Sequence, residues 1–187
     1  MPARRHPNCL TSSQPATKLV GLLLLISPVN YLAEMSKALK AAKRRICIQQ
    51  QYITAGNGVN ELLEIVHSKT SQCDVRIIVS PKFPTAWDKT QKTLRAAGLL
   101  GALRAQNLVH VIHGHNKGVI IDHDQVVASS TNWSENSITR AREAGLLVRS
   151  KELTSYFAGV FELDWADGIN PSRLKARTVE VSAAEMV

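Results

Sequence analysis

With 187 residues, 44% of them hydrophobic and 20% charged, the chain holds material for one ordinary domain of about 150 residues plus short extensions; two large domains are excluded. A core of that size buries roughly 70% of the surface that the extended chain exposes, so folding requires neither a structural metal nor a disulfide scaffold, and Cys9, Cys47 and Cys73 are odd in number and lack CxxC spacing. The formal net charge of +8 is uneven: residues 1–45 carry eight Lys or Arg against the single acid Glu34, while the remainder carries 15 basic and 14 acidic side chains, so bulk basicity does not mark a nucleic-acid binder.

Residues 1–17, with Pro2, Pro7 and Pro15 and no apolar period, read as a loose tail. The run LVGLLLLI at 19–26 reads as a buried strand. It is too short to span a membrane, and it leads into Ser27-Pro28-Val29-Asn30 without a small-x-small cleavage site. No transmembrane segment or secretory leader is therefore expected, which fits a cytoplasmic or peripherally membrane-associated protein. Apolar positions three and four apart predict a helix over 31–42, closed by Lys43, Arg44 and Arg45, a cluster suited to nonspecific phosphate contacts. A strand follows from Ile46, its polar end formed by Gln49, Gln50, Gln51 and Tyr52, and Gly56-Asn57-Gly58 reads as a turn. Residues 59–69 make a second amphipathic helix, 75–79 a strand stopped by Pro81, and 88–104 a third helix.

Three short strands are predicted at 108–112, 117–121 and 126–129, the last two joined as a hairpin through Asp122-His123-Asp124-Gln125. A strand at 144–148 and a helix over 153–165, with Phe161 and Trp165 in the core, complete the pattern. Helices and strands interleave, so the expected fold is α/β: a layered sandwich with a mixed central sheet flanked by helices. The chain divides into a basic tail with a short apolar segment (1–26), the domain proper (27–168) and a C-terminal tail (169–187).

His115-Asn116-Lys117 carries the sharpest chemistry. Residues two apart on an extended segment share a face, which sets an imidazole beside an ammonium. A neutral imidazole can attack phosphorus, and a lysine neutralises the oxygens on which charge gathers in the transition state. Ser130 and Asn132 can add hydrogen bonds to those oxygens, and Glu143 can accept from the other ring nitrogen. Gln51, Tyr52 and Trp133 are candidates to line the substrate. His110, His113, His115, Asp122 and His123 also cluster in sequence, but no HExxH or cysteine pair accompanies them, and neither a metal nor a cofactor is expected.

Taken together, HNKGVIID, VVASSTNWSENS and REAGLL resemble the catalytic motif of the phospholipase D superfamily over residues 27–166. The pattern H-x-K-x(4)-D-x(6)-G-S-x-N is met by His115, Lys117, Asp122, Ser130 and Asn132, with Ser129 standing where glycine is usual. The resemblance implies that His115 is the nucleophile of a phosphohistidine intermediate, that Lys117, Ser130 and Asn132 hold the phosphoryl oxygens, that Glu143 supports the imidazole, and that Asp122 is structural. The added Cβ of Ser129 is expected to narrow the pocket. The family pairs two such motifs, and here there is one, since His67-Ser68-Lys69 lacks the following elements. The expected activity is that of a phosphodiester hydrolase acting on phospholipid or a related phosphodiester, with a homodimer or a missing second lobe supplying the second histidine. The alternatives are a dimeric nonspecific endonuclease and a truncated half-domain that binds phosphorylated partners.

Overall fold

The computed structural model describes residues 21–81, 84–101 and 108–171. The expected tails before residue 18 and after Pro171 lie outside them. Among the described residues seven strands form one mixed sheet: β1 (Gly21–Ser27), β2 (Arg45–Gln50), β3 (Asp74–Val79), β4 (Val109–Val111), β5 (Gly118–Ile121), β6 (Gln125–Ser129) and β7 (Glu143–Arg149). Their order is β1-β7-β6-β5-β2-β3-β4. The β2, β3 and β4 strands run parallel, and the remaining neighbours are antiparallel. Among the described residues five helices flank the sheet: α1 (Tyr31–Ala41), α2 (Asn57–Lys69), α3 (Pro84–Ala96), α4 (Glu135–Thr139) and α5 (Lys151–Asp167). The α/β expectation and the mixed sheet hold.

Strand alternation divides the core. Leu25, Ile46, Ile48, Val119, Val127 and Leu147 pack with Tyr31, Met35, Leu62 and Val66 of α1 and α2 in the larger cluster. Cys47, Ile78, Ile120 and Val126 face the other way and meet Ala158 and Phe161 of α5. Trp165, expected in the core, is only half-buried; it stacks on His110 with ring centroids 3.8 Å apart, and the Arg76 guanidinium lies 5.5 Å from its ring.

Three expectations need correction. The apolar run before Pro28 does form a strand, but an edge strand: Leu25 is buried while Leu22 and Leu24 are 56% and 54% exposed. Its edge is partly closed by Asn30, whose Oδ1 accepts from Ile26 N at 2.7 Å and whose Nδ2 donates to Leu24 O at 2.9 Å, as a neighbouring strand would. Gly56-Asn57-Gly58 is the beginning of α2 rather than a turn, because Glu135 of α4 accepts from Gly58 N at 3.0 Å and caps the helix from a distance. Helix α3 begins at Pro84 and ends at Ala96, followed by Gly98 at φ 70° and Gly101 at φ 86°; the expected continuation over 102–104 lies outside the described residues.

Among the described residues no helix is long and apolar enough to cross a membrane.

Candidate active site

The carboxyl ends of β1, β2 and β6 and the amino ends of β5 and β7 meet at one end of the sheet. The segment entering β5 brings His115 and Lys117 to this rim. The Lys117 Nζ lies 3.3 Å and 3.5 Å from the two ring nitrogens of His115 and donates to the His115 carbonyl at 3.0 Å. His115 is exposed and Lys117 half-buried. Burial lowers the Lys117 pKa below the ordinary lysine value, and the Glu143 carboxylate partly restores it.

Ser130 and Asn132 follow β6, and Glu143 opens β7. The Ser130 hydroxyl donates to Glu143 Oε2 in a very short hydrogen bond, and Ala144 N donates to Ser130 Oγ at 3.2 Å. Glu143 is thus engaged with Ser130 rather than hydrogen-bonded to His115, which differs from the imidazole-supporting contact expected of it. Asn132 Oδ1 is buried and has no hydrogen-bond partner. Imidazole and ammonium thus meet at the entry to β5, hydroxyl and carboxylate meet between the ends of β6 and β7 at the same rim, and Asn132 lies two residues beyond Ser130.

The loop that carries Asn132 is fixed by its neighbour. Trp133 is fully buried: its N–H donates to Gln50 Oε1 at 3.1 Å, its indole donates to the Tyr31 hydroxyl at 3.2 Å, and its carbonyl accepts from Thr54 N at 2.9 Å. Burial pushes the Tyr31 phenol pKa well up, so it stays a neutral partner. The expectation that Trp133 lines the substrate is corrected: it anchors the loop from within the core. Gln50, read from sequence only as part of the polar end of β2, is a buried amide that holds the Trp133 backbone. Gln51 and Tyr52, just beyond it, are half-buried, and Ser80 N donates to the Gln51 carbonyl at 3.1 Å.

Ser129 fits where a glycine was expected. It pairs with Gly145 across β6 and β7, and a Cβ built on Gly145 would lie 2.7 Å from the Ser129 Cβ, so the missing side chain on β7 makes the room. The Ser129 Oγ donates to Thr131 Oγ1 at 2.8 Å and accepts from Thr131 N at 2.9 Å, tightening the turn toward Ser130.

Asp122 stands at the other end of β5, about 16 Å from Lys117 at roughly 3.3 Å per residue. It adopts φ 53°, and its Oδ1 accepts from the backbone N–H groups of Lys43, Arg44 and Arg45 at 3.1, 2.7 and 3.2 Å. The backbone of the basic cluster at 43–45 is therefore tied to the sheet end remote from His115. His67 and Lys69 also lie away from the site, with Lys69 Nζ donating to the Ala42 carbonyl at 2.9 Å.

The histidine-rich stretch disperses too: His110 stacks on Trp165, and His123 sits in the turn with Asp122. Among the described residues no three His, Cys, Asp or Glu side chains come together as a metal site. A cavity of about 260 Å³ lies beneath α5, lined by Cys47, Gln49, Asn116, Ile120 and Phe161. Asn116 and Lys117 both border it, so the cavity opens toward the rim that carries the catalytic candidates.

Comparisons with known proteins bear on the family and the fold. A family model described as "Cardiolipin synthase, PLD-like domain" matches residues 35–165. No curated protein matches. Among solved structures, Nuc from Salmonella typhimurium, a phospholipase D family member, is similar at 19% identity with a TM-score of 0.62, covering 80% of this chain and 97% of that one. NucT from Helicobacter pylori is similar at 16% identity with a TM-score of 0.65, covering 80% and 98%. Phosphatidylserine synthase from Haemophilus influenzae Rd KW20 is similar at 17% identity with a TM-score of 0.57, covering 74% of this chain but 35% of that one. With most of its described domain matched by the family model and its fold shared with these structures, the chain belongs to the phospholipase D-like family.

Proposed function

We propose that the protein is a phosphodiesterase of the phospholipase D type that works through a phosphohistidine on His115. The observation that supports this reading is that the His115–Lys117 pair and the Ser130–Glu143 pair stand at the same rim of the sheet, with Asn132 two residues beyond Ser130. A neutral ring nitrogen of His115 forms a bond to phosphorus as the bond to the leaving oxygen breaks. Lys117, Ser130 and Asn132 hold the non-bridging oxygens as charge builds on them. Water then attacks the phosphohistidine, releasing the phosphomonoester and restoring the imidazole.

The departing oxygen needs a proton, and one motif supplies one histidine. A two-fold homodimer that faces the rims of two copies places a second His115 there as the general acid. The chain spans nearly all of Nuc and NucT, which are thus one-lobe chains, but about a third of phosphatidylserine synthase. The substrate read first from the family is a phospholipid or related phosphodiester. The same one-lobe likeness favours a second reading, a dimeric nonspecific endonuclease.

The test couples mass to turnover. Light scattering is expected to give a dimer, and hydrolysis of bis(p-nitrophenyl) phosphate is expected to fall at least 10³-fold in His115→Ala, a size typical for loss of a nucleophile. A monomer with no His115-dependent turnover would overturn the enzyme reading and leave the phosphate-binding half-domain. Labelled phosphatidylcholine and plasmid DNA assayed side by side then separate the two substrates.

A further inference from the structure

Ser27 ends β1 with its side chain wholly buried, and its hydroxyl has no hydrogen-bond partner. Native interiors rarely leave a hydroxyl so, because the lost water bonds are not replaced. Its place is specific. Ser27 pairs with Glu143 in the β1–β7 register, and both alternate onto the α1 face with Leu25 and Leu147. Directly opposed residues hold their Cβ atoms about 4.5–5.5 Å apart, within reach of a hydroxyl and a glutamate arm.

The donor count at the site gives that hydroxyl a use. In the structure Ser130 gives its proton to Glu143 Oε2. A serine hydroxyl has one proton, so Ser130 cannot hold Glu143 and also donate to a phosphoryl oxygen. When substrate claims Ser130, the carboxylate loses that donor. We propose that Ser27 is a reserve donor and positioning residue for Glu143: rotation about its Cα–Cβ bond brings the hydroxyl onto the carboxylate as Ser130 turns to the phosphoryl group, so Glu143 stays fixed beside Lys117 during turnover. The inference rests on the proposed function, because it takes Ser130 and Glu143 as parts of the phosphate site.

Crystal structures of the full chain with and without tungstate, a phosphate mimic, test the hand-over directly. With tungstate bound, Ser130 Oγ is expected on an oxyanion oxygen and Ser27 Oγ within about 3 Å of a Glu143 carboxylate oxygen. An unmoved, unpartnered Ser27 in that complex overturns the inference.

Kinetics supply the second arm. Ser27→Ala is expected to lower kcat for bis(p-nitrophenyl) phosphate about tenfold with KM little changed, Ser27→Thr to restore most of it, and Ser27→Ala to have no further effect in a Glu143→Gln background. A loss that persists undiminished in Glu143→Gln, or full turnover in Ser27→Ala, overturns the inference. Failure of the phosphodiesterase reading looks different: His115→Ala then equals wild type, while the tungstate-dependent contact of Ser27 with Glu143 is still read from the crystal.

Discussion

Substituting Asp122 separates the architecture of the hairpin from its chemistry. In Asp122→Ala the backbone N–H groups of Lys43, Arg44 and Arg45 lose an ionised acceptor. Hydrogen bonds to a charged group contribute about 1.5–3 kcal/mol, and since these are exposed and water can replace the carboxylate in part, the set is worth about 2 kcal/mol. The residue also sits at φ 53°, where a Cβ without a compensating polar group costs about 1–2 kcal/mol. The total, roughly 3–4 kcal/mol, corresponds to a fall in Tm of roughly 6–16 °C for a domain of this size. Asp122→Gly relieves the backbone and forfeits only the hydrogen bonds, about 2 kcal/mol, while Asp122→Asn tolerates the left-handed backbone and keeps one acceptor, at about 1 kcal/mol. Circular dichroism melts give the order Asn, Gly, Ala of increasing damage. Turnover of bis(p-nitrophenyl) phosphate per folded molecule, measured well below each Tm, is expected to stay within about twofold of wild type. A loss of turnover by orders of magnitude in Asp122→Asn at unchanged Tm would refute the structural assignment.

Gly145→Ala drives a methyl group against the Cβ of Ser129 and is expected to cost about 1–3 kcal/mol in urea unfolding; adding Ser129→Gly should recover part of that, and no recovery would contradict the pairing. Trp133→Phe removes the donor to Tyr31 and leaves a buried phenol unpaired, for a loss of about 2–3 kcal/mol, with Tyr31→Phe expected to cost little more in that background. In the proposed mechanism Lys117 serves as an ammonium, and its pKa is lowered by burial and raised by Glu143. Glu143→Gln removes the raising charge, so the alkaline limb of kcat/KM moves to lower pH; an unmoved or rising limb would show that Lys117 does not set it.

Local patterns were legible where local forces decide them. The period of α1, the apolar run of β3 stopped by Pro81, the β5–β6 hairpin and α5 were readable because each depends on residues a few positions apart. The run before Pro28 misled because an unbroken apolar stretch looks the same in a central strand and in an edge strand, and only the sheet order distinguishes them. Gly56-Asn57-Gly58 looked like a turn because the cap that makes it helical comes from Glu135. Pro84, by contrast, was a usable start signal for α3, and Ser134, which caps α4 by accepting from Ser137 N, marked a helix that was not anticipated. At the site, spacing told which residues gather at the rim, but not that Glu143 would engage Ser130 or that Trp133 would turn inward, since both depend on strands that meet only in the fold.

His115, Lys117, Ser130 and Asn132 all lie on one hairpin, and only Glu143 reaches them by a further strand pairing. Contacts so near in sequence cost little loop-closure entropy, so most of the constellation is expected to form as early as the hairpin itself. The same economy has a reverse side. A single local opening of β5 from β6 scatters all four groups together, so the resistance of the site to heat or denaturant is set by that one two-stranded unit and by how firmly β2 and β7 clasp it.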